Sequence, residues 1–185
     1  MDYAHARHAG NAGDVLKHVA LVALLETMLR DSAPLTYVET HAGDGLYPLG
    51  SAGEWGGGVL RVWNAQAEGR ALVLIDPPYS GKQEWTDAAR AMERLRGVPS
   101  VLWYPIKALT RPRALIAELA RLGVHGTAVE LHWTPLRLRR ERLNGAGLIL
   151  AAAPKEAIAS VSAALPELGA LLQTHGEWGA AQIGF

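Results

Sequence analysis

Apolar residues recur along this 185-residue chain with two different periods, and their alternation predicts the fold class. Between 14 and 30, Val15, Val19, Val22 and Leu29 fall at helical spacing, joined by Leu21, Leu25 and Met28. That spacing predicts a helix, with Asn11 or Asp14 as its cap. Residues 34–40 read as a first strand. The continuous apolar run Ala71-Leu72-Val73-Leu74-Ile75 is short and bounded by Pro and Gly, which marks a buried parallel strand. Further strands are predicted at 101–104, ended by Pro105, and at 127–133, 148–151 and 178–184. Helices are predicted at 57–67, 82–96, 111–122 (stopped by Gly123) and 155–173. Strands alternating with helices predict an α/β fold with a mainly parallel sheet, as one domain over residues 1–185.

Composition narrows the function classes. Hydrophobic residues make up 49%, enough for a sizeable core. The 18 basic and 18 acidic side chains cancel, so no global field attracts nucleic acid and any such surface must be local. With no cysteine, disulfides, Cys-ligated zinc and thiol catalysis are excluded. The start from Met1 to His8 is polar, without a signal-peptide core, and no run approaches the roughly 18 apolar residues of a membrane span. The expectation is a cytoplasmic protein.

The strand at 71–76 runs into Asp76-Pro77-Pro78-Tyr79, then a Ser80-Gly81 turn. Ligands of open α/β sheets bind at the carboxyl ends of strands, where this tetrapeptide would sit. The tetrapeptide resembles the signature of methyltransferases that modify exocyclic amino groups of bases, chiefly adenine N6, and the chemistry explains its residue types. An adenine amino nitrogen is a poor nucleophile because its lone pair is delocalised into the ring. Asp76 and the Pro77 carbonyl could accept its two N–H bonds, localise the lone pair and aim it at an electrophilic methyl group. Tyr79 could stack on the base, worth about 1–3 kcal/mol. The plainer alternative is a strand-ending turn built from turn-forming residues.

Other segments stay open on their own. Glycines in His41-Ala42-Gly43-Asp44-Gly45, after the first strand, allow close approach of a ligand, or make an ordinary βα turn. Tyr3, His5, His8, Asn11, Asp14, Lys17 and His18 cluster near the N-terminus. Their spacing is not that of a compact metal site, so none is expected, and a hydrogen-bonded helix start is the alternative. Arg137, Arg139, Arg140 and Arg142 form a local basic cluster between two late strands, suited to RNA phosphates or simply to solvent. Trp133 nearby suits the core better than a base.

Five motif stretches then occur together and in order. They are His8-Ala9-Gly10-Asn11 with Asp14-Val15-Leu16-Lys17-His18, Thr40-His41-Ala42-Gly43, Gly58 to Trp63, Asp76 to Tyr79, and Leu102-Trp103-Tyr104-Pro105. Over residues 1 to about 150 the chain thereby resembles the RlmJ family, bacterial 23S ribosomal RNA adenine-N6 methyltransferases. The resemblance implies a class I, Rossmann-like methyltransferase sheet with an N-terminal helical segment, and S-adenosylmethionine as cofactor. It implies that Lys17, His18, His41 and Gly43 line the cofactor site, that Asp76 accepts the amino hydrogens, and that Tyr3 contacts RNA. Arg137, Arg139 and Arg140 are expected to assist in binding RNA.

One departure is large. In the family, several tens of residues separate the Arg-Val-Trp helix from the Asp-Pro-Pro-Tyr strand and carry two strands of the sheet. Here only residues 64–70 intervene, too few for a βαβ unit of about 30 residues. The resemblance therefore implies a shortened sheet lacking half of the usual adenosine pocket, and Glu68 is a poor substitute for the family's ribose-binding acid. A partner subunit completing the pocket and a weak cofactor site are both open. The rival to an enzyme is a catalytically impaired homologue that still binds nucleic acid.

Overall fold

The structure, a computed structural model, describes residues 11–30, 33–41, 70–138 and 142–185. Among them the elements run α1 (Ala12–Met28), β1 (Leu35–Glu39), β2 (Arg70–Ile75), α2 (Gln83–Arg94), β3 (Ser100–Ile106), α3 (Thr110–Arg121), β4 (Gly126–His132), β5 (Gly145–Ala151), α4 (Lys155–Leu172) and β6 (Gly179–Gly184). The helix predicted at 57–67 lies outside the described residues. Asn11, and not Asp14, caps α1: its side-chain oxygen accepts from the backbone N–H groups of Gly13 and Asp14. Gly123 ends α3 as predicted, with φ +71° and the N–H of Val124 returning to the Leu119 carbonyl.

The strands form one sheet in the order β1-β2-β3-β5-β4-β6. The first two pairings are parallel and the other three antiparallel, so the sheet is mixed and not mainly parallel. The reason lies in one connection. The described residues of the short segment between β4 and β5 form no helix, and a connection without a crossover helix turns the chain back. Helices span the connections β2–β3, β3–β4 and β5–β6, and each preserves strand direction. β1 is the edge strand among the described residues, pairing with β2, as a sheet shortened on that side requires.

Helices cover both faces. Leu16, Ala20, Leu24 and Met28 of α1 and Ala157, Val161 and Leu165 of α4 pack on one face, against Leu72, Leu74, Val101, Leu148 and Leu150. Ala88, Met92, Leu115 and Leu119 of α2 and α3 pack on the other, against Val73, Ile75, Leu102, Ile106 and Ile149. The unbroken apolar run of β2 follows from burial on both sides. No helix among the described residues is long and apolar enough to cross a membrane.

Pro105 lies inside β3 and does not end it. Register with β2 stops at Leu102, so Pro105 has only β5 beside it and can miss one ladder bond at little cost.

The antiparallel half carries a buried polar network that the sequence does not advertise. Glu130 is fully buried and accepts hydrogen bonds from Tyr104 Oη (2.9 Å) and from both terminal nitrogens of Arg113 (2.7 and 2.9 Å). Burial alone would push its carboxyl pKa up. Hydrogen bonds from His132, Arg113 and Tyr104 outweigh that and hold it down at about 2. Tyr104 reaches Glu130 across β5, directly over Gly147, which is in register with both residues. A Cβ at position 147 would overlap the Tyr104 ring. Gly147→Ala should therefore cost about 1–3 kcal/mol in a urea unfolding titration. A loss below 0.5 kcal/mol, on the order of an inconsequential surface change, would show that Tyr104 need not cross there.

Candidate active site

The carboxyl ends of β1, β2 and β3 open on one edge of the sheet, and α1 begins there. Gly13 lies against the Trp103 indole, where a Cβ would come within 3.1 Å of the ring. The Asn11 amide donates to Asp14 Oδ2 (3.1 Å), and Asp14 Oδ1 lies 3.3 Å from Lys17 Nζ. Lys17 Nζ then donates to Asp76 Oδ2 at 2.5 Å. A helix cap, one residue from each of its first two turns and the acidic end of β2 are thus joined in one relay. Lys17 is only 7% exposed. Burial works against its charge, but Asp76 and then Asp14 outweigh it and raise its pKa, so the ammonium persists at neutral pH. The spacing of α1 carries a signal for this. Lys17 falls among the inward positions Gly13, Leu16, Ala20 and Leu24, where a charged residue needs a partner.

The loop after Asp76 is fixed on several sides. Pro77 is buried and Pro78 exposed, each with its φ set by its ring. Tyr79 takes φ +51°, a left-handed conformation that a bulky side chain adopts only when its surroundings enforce it. Its hydroxyl donates to the Trp103 carbonyl (2.9 Å), and its ring lies 4.5 Å from the Trp85 ring, tilted by 51°. Burial, then Asp76 and Glu84, raise its pKa well above the ordinary phenol value. Glu84 reaches back to the Ser80 N–H (2.7 Å) and hydroxyl (2.5 Å), closing the turn before α2. No periodic pattern in the sequence links Trp85 or Trp103 to Tyr79, so the sequence does not mark them as its partners.

At the end of β1, His41 Nδ1 sits 2.8 Å from Thr40 Oγ1. Burial lowers the pKa of His41 to about 4, so its ring is neutral at pH 7. The structure turns His18 outward instead. Its Nδ1 lies 2.7 Å from the Asp14 carbonyl, and its ring lines a groove between α1 and α4 with Val15, Val19, Val22 and Ser160. Lys17 and Asp76 are brought together, and His18 is not brought to them. Tyr3, Gly43, Arg139 and Arg140 lie outside the described residues. Arg137 is exposed, in the loop between β4 and β5, with one terminal nitrogen 2.7 Å from each Glu177 oxygen. Trp133 is buried, as expected. Among the described residues, no group of three or more His, Asp or Glu is placed to hold a metal ion.

The neutral ring of His41 makes a pH prediction. Its folded pKa, about 4, lies below the ordinary 6.5. As pH falls from about 6.5 toward 4, the unfolded chain takes up a proton that the folded ring refuses, and stability declines. Thermal unfolding across that range should show this decline. In His41→Gln the decline should be shallower; an unchanged slope would mean that His41 is not the group responsible.

Comparison with known proteins agrees with this architecture. A family model described as ribosomal RNA large subunit methyltransferase D, RlmJ, matches residues 64–183. Ribosomal RNA large subunit methyltransferase J of Escherichia coli (strain K12) is 41% identical over 68 residues, which cover 34% of this chain and 24% of that protein. The protein of the same name from Haemophilus influenzae is 39% identical over 69 residues, covering 35% of this chain and 25% of that one. The matched stretch thus spans about a quarter of the length of these curated relatives. The crystal structure of protein LPL1258 from Legionella pneumophila str. Philadelphia 1 shares the fold, with a TM-score of 0.77 at 19% identity over 96% of this chain and 98% of that one. With the family model covering more than half of its residues, the chain belongs to the RlmJ family of ribosomal RNA large subunit methyltransferases.

Proposed function

We propose that this chain methylates ribosomal RNA of the large subunit in the cytoplasm, and specifically adenine N6 in 23S RNA, with S-adenosylmethionine as methyl donor. The observation that carries the reading is Asp76, paired with the Lys17 ammonium at the end of β2 and followed by a loop locked through Tyr79. When bound, S-adenosylmethionine supplies a methyl group on a positively charged sulfur. The carboxyl edge suits such a cation. Asp76 and Glu39 are acidic there, and His41 is neutral, so it does not repel positive charge. Lys17 would hold the anionic end of the cofactor or, as here, its counter-charge at Asp76; Gly43 belongs to the same proposed pocket.

The chain's own work is positioning. A carboxylate has about four lone-pair sites, so Asp76 can accept from Lys17 and from an amino group together. With the Pro77 carbonyl it would draw both amino hydrogens aside and expose the nitrogen lone pair. Methyl transfer would then form the N–C bond and break the donor's C–S bond. The methylated nitrogen, now positive, is acidic enough to lose its proton to water without a strong base. The base must be unpaired or flipped out, since its amino group is unreachable in a helix. Tyr79 would stack against it, with Tyr3 touching the RNA.

The test is methyl transfer to 23S RNA lacking the modification, read as N6-methyladenosine by mass spectrometry of the nucleosides. Asp76→Asn, which keeps the shape but not the charge, should lower the rate by about 100-fold or more, with the circular dichroism spectrum unchanged. Full activity in that variant would show that the mechanism is wrong.

A further inference from the structure

We infer that Arg111, seated on Trp85 beside the Asp76–Tyr79 loop, contacts a backbone phosphate of the RNA strand flanking the target base. The inference rests on the reading that RNA is the substrate.

Three observations carry it. The first is place. α3 opens directly after the carboxyl end of β3, so Arg111 shares the sheet edge with Asp76. Its guanidinium lies 5.9 Å from the centre of the Trp85 ring, and Trp85 lies 4.5 Å from Tyr79. Only one indole separates it from the proposed stacking residue. It stands on the β3 side of β2, whereas His41 follows β1 on the other side.

The second is availability. Other arginines near this edge or on this helix are engaged: Arg113 by Glu130, Arg121 by Glu118 and Arg137 by Glu177. Among the described residues, no carboxylate pairs with Arg111. The nearby acids are occupied, Glu84 by Ser80 and Asp87 by the Gln83 amide. Exposed Lys82, before α2, and Lys107, after β3, flank the same edge. Three exposed cations thus stand along this edge in a protein whose net charge is +0.

The third is chemistry. An indole face holds a guanidinium by cation–π attraction and fixes its plane. The N–H fork along that plane's edge remains able to grip a phosphate through two bonds, which a lysine cannot do. Such contacts set the register of a strand and leave identification of the base to the pocket.

The experiment is binding of a short fluorescent single-stranded RNA containing adenine to the full chain, by anisotropy over a range of salt, without cofactor. Arg111→Ala should weaken binding about 10-fold at low salt and flatten the log–log salt slope by about 0.7, the value of one phosphate contact. Arg111→Lys should restore the slope but only part of the affinity. Arg121→Ala, which removes a charge at the far end of the same helix, should do neither. The inference is overturned if Arg111→Ala binds with the parent's affinity and slope, if Arg121→Ala loses as much, or if the parent does not bind RNA. It is also overturned if Arg111→Ala instead loses affinity for S-adenosylmethionine in calorimetry. RNA binding through Arg111 without methyl transfer would sink the proposed activity and leave this contact standing.

Discussion

The bond from Lys17 to Asp76 is the constraint on which the rest of the site depends. It joins residues 59 positions apart and ties the second turn of α1 to the end of β2. Both partners are largely shielded from water, with side chains 9% and 17% exposed. Removing either would leave the other's charge poorly solvated, which is why such pairs are costly to break singly. The pair also orders what lies around it. It holds α1 with Gly13 against Trp103, and Trp103 supplies the carbonyl that fixes Tyr79.

A second device sits on the other face of the sheet. Tyr104 links two regions through its ring and its hydroxyl. Its ring lies 6.5 Å from Trp85, the indole between Tyr79 and Arg111, and its hydroxyl reaches Glu130. The aromatic floor beneath the Asp76 loop therefore rests on a buried carboxylate of the antiparallel half. Buried polar groups satisfied on every side favour one arrangement over near alternatives, because any shift leaves a buried charge without its bonds.

Much of this was legible in the sequence, and the losses have physical reasons. Every described element was anticipated to within three residues at its ends, because burial on one or both faces writes its period into the chain. Strand direction was not. Direction depends on whether a connection crosses the sheet or turns back, and the short connection between β4 and β5 decides that without altering any strand's pattern. Asp76 and its loop stood out because prolines and an acid after an apolar run are uncommon. For Lys17 the resemblance implies a place at the cofactor site, while its position on the buried stripe of α1 points to a charged partner. His18, its neighbour in sequence, is carried about 100° around the helix and faces outward. The Glu130 network was invisible because an acid within an alternating strand reads as a solvent-facing position; only Gly147, the gap that lets Tyr104 across, distinguishes it. The Arg137 pairing with Glu177 spans 40 residues and has no local signature.

The central claim is that the edge organised by Lys17 and Asp76 still receives a cofactor although the sheet stops at β1 among the described residues. Calorimetric titration of the full chain with S-adenosylmethionine tests it most directly. The account predicts saturable heat with one molecule bound per chain. No heat and no thermal stabilisation at millimolar cofactor would contradict it, and would favour a homologue that binds nucleic acid without catalysing methyl transfer.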